Sequence, residues 1–300
     1  MNDPFELSIG GLGFTIELPP RVRLIERDTV YAPFLVRDPA ADSRIRGDLT
    51  LKVAPDTESL DLLFDTEETW RAFADGDDVL LRLRSTGDSQ GYLWLARLVG
   101  ARQGPIEHLT IHCGDRLVEC RGAIVELTNP LHYPLDQLLA MFVLPALPGA
   151  LIHAAGLARG GRGIFCAGVS GAGKTTFMGL TEGYDDLDGL SDDRVIVRRS
   201  GDAWSLFGTP WAGEGRVAAN RGVELVGVTF LNKADHNALV PISPTNALTQ
   251  LLATTSILWF DRQRTEQAMS LCEALVSHLP CYELHFRKEE EAVDLLGELI

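Results

Sequence analysis

The run Gly168-Val169-Ser170-Gly171-Ala172-Gly173-Lys174-Thr175 meets the pattern G-x-x-x-x-G-K-[ST] at every fixed position, and Thr176 and an apolar stretch follow it. At ordinary residue usage, such a match arises by accident in roughly one chain of this length in a hundred, so the flanks decide its worth. They agree with it. Gly163 to Ala167 reads as a short buried strand, and Thr175 to Leu180 can open a helix. Between strand and helix, glycines let backbone N–H groups turn inward around a polyphosphate, and the helix N-terminus adds its positive dipole. In that arrangement Lys174 reaches the β- and γ-phosphates and the Thr175 hydroxyl holds Mg²⁺. The plainer alternative is a glycine-rich turn with an exposed lysine.

A second chemical element lies downstream, in Gly189-Leu190-Ser191-Asp192-Asp193-Arg194-Val195-Ile196-Val197. Two adjacent acids stand at the edge of an apolar strand. One carboxylate can hold Mg²⁺, directly or through water, while its neighbour faces an acceptor and takes a hydroxyl proton. Asp185, Asp186 and Asp188 read instead as a solvated acidic loop. His108, His112 and Cys113 cluster loosely, but a strand sends adjacent side chains to opposite faces, so no metal site is expected there.

These groups need a scaffold. Residues 1 to 130 alternate with period two in short segments such as Phe5–Ile9, Phe14–Leu18, Asp48–Val53 and Val79–Arg84, which predicts a largely antiparallel β-rich domain. Gly10-Gly11-Leu12-Gly13 reads as a hairpin turn. A domain boundary is expected near Asn129-Pro130, just before a helix that opens at Pro134. From 131 to 300, strands and helices alternate. Val223 to Leu231 and Cys281 to Phe286 read as strands; Ala247 to Leu258, Glu266 to Val276 and Glu289 to Leu299 read as helices.

Composition narrows the partners. With 45% hydrophobic residues over 300, a globular, soluble protein of one large or two ordinary domains is expected. A formal net charge of −15 argues against nucleic acid and anionic membranes as partners, because both would repel it. The start Met1-Asn2-Asp3-Pro4 does not look like a signal peptide, and the apolar stretch from Leu138 to His153 is too interrupted to span a bilayer. Five cysteines without a C-x-x-C pair suit free thiols, and a cytoplasmic location is the expectation.

The stretch from His153 through the glycine loop to Ser191-Asp192-Asp193-Arg194-Val195 resembles the catalytic domain of the HPr kinase/phosphorylase family: a histidine, then G-x-S-G-x-G-K-[ST], then an acidic pair in an A/S-D-D-R-V context. More widely, Pro134–Leu139, Leu151–Gly156 and Gly208-Thr209-Pro210-Trp211 look like elements of the bacterial HPr-kinase-related proteins. The resemblance implies an α/β (α+β) fold, with a phosphoenolpyruvate-carboxykinase-like phosphate-loop domain on a mixed sheet. It implies an ATP- and Mg²⁺-dependent kinase acting on a hydroxyl, a serine of a small protein or peptide, and assembly into a homo-oligomer. Carried over by position, Gly168, Val169, Ser170, Gly171, Ala172, Gly173, Lys174, Thr175 and Thr176 wrap the phosphates. Thr175 and Asp193 are then the Mg²⁺ ligands, Asp192 the general base, and His153 a neighbour of the reacting centre. The β-rich half would recognise or scaffold the acceptor. Val223-Glu224-Leu225 echoes the opening of a further family signature, but the glycine spacing that should follow is absent. Glu214 and Arg194, Arg198, Arg199 and Arg216 are further residues able to meet metal or substrate. Two alternatives stay open: a small-molecule kinase of the same fold, and a non-catalytic nucleotide-binding regulatory or assembly protein.

Overall fold

The computed structural model of the chain describes residues 3–38, 41–85, 91–169 and 171–300, and divides into two compact units, Met1–Val143 and Leu144–Ile300. The first carries strands β1 (Phe5–Ile9), β2 (Leu12–Glu17), β3 (Val22–Ile25), β4 (Ser43–Thr50), β5 (Asp61–Asp65) and β6 (Trp70–Asp75). Strands β7 (Asp78–Arg84), β8 (Tyr92–Val99), β9 (His108–Cys113), β10 (Val118–Arg121) and β11 (Ile124–Thr128) follow, then helix α1 (Leu135–Val143). Eight strands form a sheet in the order β1-β2-β4-β9-β8-β7-β6-β5, and β10-β11-β3 form another.

This half is β-rich, with β1 and β2 joined through the expected Gly10-Gly11 turn. As predicted it is largely antiparallel, but three pairings that alternation did not foretell, β2 with β4, β4 with β9, and β3 with β11, are parallel. Alternation reports which face of a strand is buried, not which distant strand lies beside it. The unit boundary also falls after α1 rather than near 130. Asp136 in α1 is fully buried and accepts a 2.6 Å hydrogen bond from the Tyr31 hydroxyl, which ties the helix to the first unit. A proline start and apolar periodicity mark a helix without saying which core it joins.

In the second unit come β12 (Gly149–Arg159), β13 (Arg162–Ala167), α2 (Lys174–Thr181), β14 (Asp188–Ser191), β15 (Arg194–Ser200) and β16 (Ala203–Phe207). Next are β17 (Gly222–Lys233), β18 (Ala238–Pro241), α3 (Pro244–Thr254), α4 (Arg262–His278), β19 (Cys281–Phe286) and α5 (Glu291–Gly297). The sheet runs β13-β12-β15-β16-β17-β19-β18, and a further pairing of β13 with β17 closes the first five strands on themselves. It is mixed: β12 is antiparallel to β13 and β15, while β17 is parallel to β13 and β19. Several strands follow one another without an intervening helix, so the expected alternation is only partial.

Helix α3 stops at Thr254, although the apolar pattern continues to Leu258. The backbone explains the early stop: Thr255 bridges Ile152, and the Ser256 N–H donates to the Leu151 carbonyl at 2.8 Å, so β12 supplies partners that a further helical turn would have supplied.

Strand β13 is buried on both faces. Phe165 and Ala167 join a core with Val195, Trp204, Phe230 and residues of α3 and α4, while Ile164 and Cys166 join Phe177, Leu284, Phe286 and residues of α5. All five cysteines are free, and four of them are buried. Among the described residues, no helix is long and apolar enough to cross a membrane.

Candidate functional site

Register builds this site. Strand β12 has β13 on one side, with Ala154 opposite Ala167. On its other side, β14 pairs with Gly156 to Ala158 and β15 with Gly149 to His153, with His153 opposite Arg194. The chain therefore leaves β13 into the glycine loop at the same level of β12 where Asp192 and Asp193 interrupt the neighbouring strand. Two strand spacings, about 10 Å, separate these two points, a gap that side chains from both sides can fill.

The loop has the shape its glycines require. A Cβ on Gly168 would stand 2.6 Å from the Ala172 Cβ, so the loop folds back on itself more tightly than any side chain there allows. Gly173 caps α2 at φ 104°, and a Cβ there would also meet Phe286 Cζ at 2.8 Å. Helix α2 has only eight residues, too few to hold together in water without help. Phe177 anchors it: the ring is fully buried and packs edge-on against Phe286 at 5.8 Å. Burial of one such side chain contributes about 1.5–3 kcal/mol, more than helix propensity offers over this length. Ser170 lies outside the described residues. Val169 and Thr175 are exposed, Ala172 and Thr176 half-buried.

Lys174 is 8% exposed and donates from Nζ to the Gly168 carbonyl at 2.8 Å, so its ammonium already lies across the loop. Burial lowers its pKa, the Asp193 charge opposes that, and the Arg194 charge lowers it further. Asp193 is thus electrostatically coupled to the lysine of the glycine loop.

The two acids do not share an environment. Asp193 is part-exposed, with Oδ1 2.9 Å from His153 Nε2 and Oδ2 3.6 Å from Arg194 Nε. Burial would raise its pKa, but the His153 hydrogen bond and the charges of His153, Arg194 and Lys174 outweigh that and hold the carboxyl below the ordinary range. Asp192 is 2% exposed. Its Oδ1 accepts from the Gly213 N–H at 2.8 Å, and its Oδ2 is buried without a hydrogen-bond partner among the described residues. A buried carboxylate oxygen without a donor is costly, and it is able to accept one.

Local structure enforces this division. Ser191 Oγ accepts from the Asp193 and Arg194 N–H groups at 3.5 and 3.3 Å and turns the chain between β14 and β15. Thr209, in the Gly-Thr-Pro-Trp element, donates from Oγ1 to the Arg194 carbonyl at 2.6 Å. That contact directs the chain past Trp211 to Gly213 and Gly215, where a Cβ would stand 3.1 and 2.8 Å from Asp192 Oδ2. Arg194 is held in turn by Ser256 Oγ at 3.0 Å.

His153 and Asp193 therefore come together, with Lys174 within reach of the Asp193 charge and Asp192 adjacent but covered. Sequence reasoning missed Gly213, Gly215, Ser191 and Ser256, since isolated glycines and serines carry no signal until a partner lies beside them. Of the other candidates, Arg199 packs on Trp204 with its guanidinium 5.5 Å from the ring, and Glu214 is exposed. In β9, the His108 ring lies 2.6 Å from Asp48 and His112 bonds the Lys52 carbonyl, while the Cys113 thiol is pushed up to about 12 by burial. Among the described residues no group of three or more His, Cys, Asp or Glu side chains surrounds a metal position. Mg²⁺ bound with a nucleotide does not need one: one or two carboxylates plus phosphate oxygens and water suffice. By residue type, Thr175 and Asp193 carry oxygen donors of that class.

No protein-family model and no curated protein matches the chain. Among solved structures, the HPr(Ser) kinase/phosphatase from Coxiella burnetii is similar over 49% of this chain and 93% of its own, at 10% sequence identity and a TM-score of 0.28. At that level of likeness, the match establishes neither the family nor the activity of this chain.

Proposed function

We propose that the second unit transfers the terminal phosphoryl group of ATP, with Mg²⁺, to a hydroxyl, a serine of a small protein or peptide. One observation carries this: the register of β12 sets the Lys174 cradle and the Asp192–Asp193 pair at one level of the sheet, with Lys174 and Asp193 electrostatically coupled. Phosphoryl transfer asks a protein mainly for position and charge compensation, which such a compact set supplies.

The loop N–H groups and Lys174 bind the phosphate tail. Mg²⁺, when bound, neutralises charge on the phosphates, and Thr175 with Asp193 would hold it, a role suited to a carboxylate kept anionic by its neighbours. Asp192 Oδ2, an acceptor without a donor, takes the acceptor hydroxyl proton when the Gly213–Gly215 segment admits the substrate. His153 orients Asp193.

Incubation with γ-labelled ATP and candidate acceptors tests the proposal. Label on a peptide serine supports it, and label on a metabolite moves the acceptor to a small molecule. Tight nucleotide binding with no acceptor-dependent turnover would leave a nucleotide-binding regulatory protein instead.

A further inference from the structure

Strand β17 runs parallel to β13 with Ala167 opposite Phe230, and continues three residues beyond that pair to Lys233. It thereby carries Lys233 alongside the loop that leaves β13 at Gly168. The position of Lys233 is set from both sides. It pairs with Phe286 in β19, and the next residue, Ala234, donates its N–H to the Phe286 carbonyl at 2.9 Å.

The side chain reaches back to the cradle. A Cβ on Gly173 would stand 3.2 Å from Lys233 Cε, so the stem crosses the last glycine before Lys174 and ends one C–N bond further on. Among the described residues, its exposed ammonium has neither an ion-pair partner nor a hydrogen bond. The nearest acid in sequence, Asp235, is engaged by His236 Nδ1 at 2.8 Å.

We infer that Lys233 is a second phosphate-binding cation, meeting the polyphosphate tail of a bound nucleotide from the strand side of the loop while Lys174 meets it from the helix side. This rests on the cradle being a triphosphate site. An ammonium on a flexible stem, with three rotatable donors, suits a tail whose charge shifts between oxygens. The contact with Gly173 gives that glycine a second purpose: a side chain there presses on the lysine stem as well as straining the helix cap.

The test measures binding of the non-hydrolysable triphosphate AMPPNP and of AMP, both with Mg²⁺, to the full chain by calorimetry. Lys233→Met keeps the stem and removes the charge. It is expected to weaken AMPPNP about tenfold, the scale of one charge-assisted hydrogen bond, and to leave AMP binding unchanged. Lys233→Arg is expected to stay within about threefold of wild type, because the charge persists. If Lys174→Met weakens AMPPNP while Lys233→Met binds it like wild type, Lys233 is a solvated packing residue and the inference fails alone. If neither substitution changes AMPPNP binding, the triphosphate site itself is wrong and both proposals fall.

Discussion

His153 Nε2 lies 2.9 Å from Asp193 Oδ1 because β12 and β15 are in register with His153 opposite Arg194, which places the residue before Arg194 beside the imidazole. The pair spans the step from β14 to β15, on the side of β12 away from the glycine loop. Its carboxylate is the one acid of the Asp192–Asp193 pair whose charge reaches Lys174.

Lys174→Ala removes the ammonium that crosses the loop and leaves the Gly168 carbonyl without its partner. Turnover of labelled ATP should fall by about 10²–10³, the cost of removing one positioned charge-stabilising donor. Unchanged turnover would place the phosphates elsewhere.

Asp192→Asn keeps Oδ1 for the Gly213 N–H and replaces the unpartnered oxygen with an amide nitrogen. Transfer to the acceptor should drop by about 10²–10⁴, with nucleotide affinity within a few-fold of wild type. An Asn variant that transfers phosphate at the wild-type rate assigns the proton to another group.

Asp193→Asn tests the electrostatics through stability. The folded pKa of Asp193 is depressed, so its contribution is complete above the unfolded value of about 3.9 and is lost as pH falls through the folded value. Urea midpoints of wild type and variant should differ near neutral pH and converge below about pH 4. A gap that stays unchanged well below about pH 4 contradicts the proposed charge network.

Gly215→Ala adds a methyl group 2.8 Å from Asp192 Oδ2 without touching the glycine loop. The carboxylate or the 213–215 segment must shift. Transfer should fall at least about tenfold, since displacing a reacting group by about 1 Å can cost 10²-fold, while AMPPNP affinity holds. Wild-type transfer by this variant would show that Asp192 need not be placed so closely.

Much of the site was legible beforehand because it is local. A strand, a glycine run and a helix opening are consecutive in the chain, and the backbone shape they need is written in which residues lack a Cβ: Gly168 and Gly173 have no room for one. The acid pair was visible for the same reason, standing at the mouth of an apolar strand. What the pattern could not separate was the two acids from each other. Adjacent in sequence, they point into different surroundings, one toward His153 and Lys174, the other beneath Gly213.

The amino-acid sequence alone determined the glycine turn between strand and helix, the presence of an acid pair, the β-rich first half, and most strands and helices of the second, since these depend on residue type and short-range periodicity. Tertiary structure decided which strands pair in parallel, that α1 belongs to the first unit through Asp136 and Tyr31, that α3 ends where β12 takes over its hydrogen bonds, and that Lys233 crosses Gly173. Each of those outcomes depends on contacts between residues far apart in the chain. Periodicity says which face of an element is buried, and only the folded register says what it is buried against.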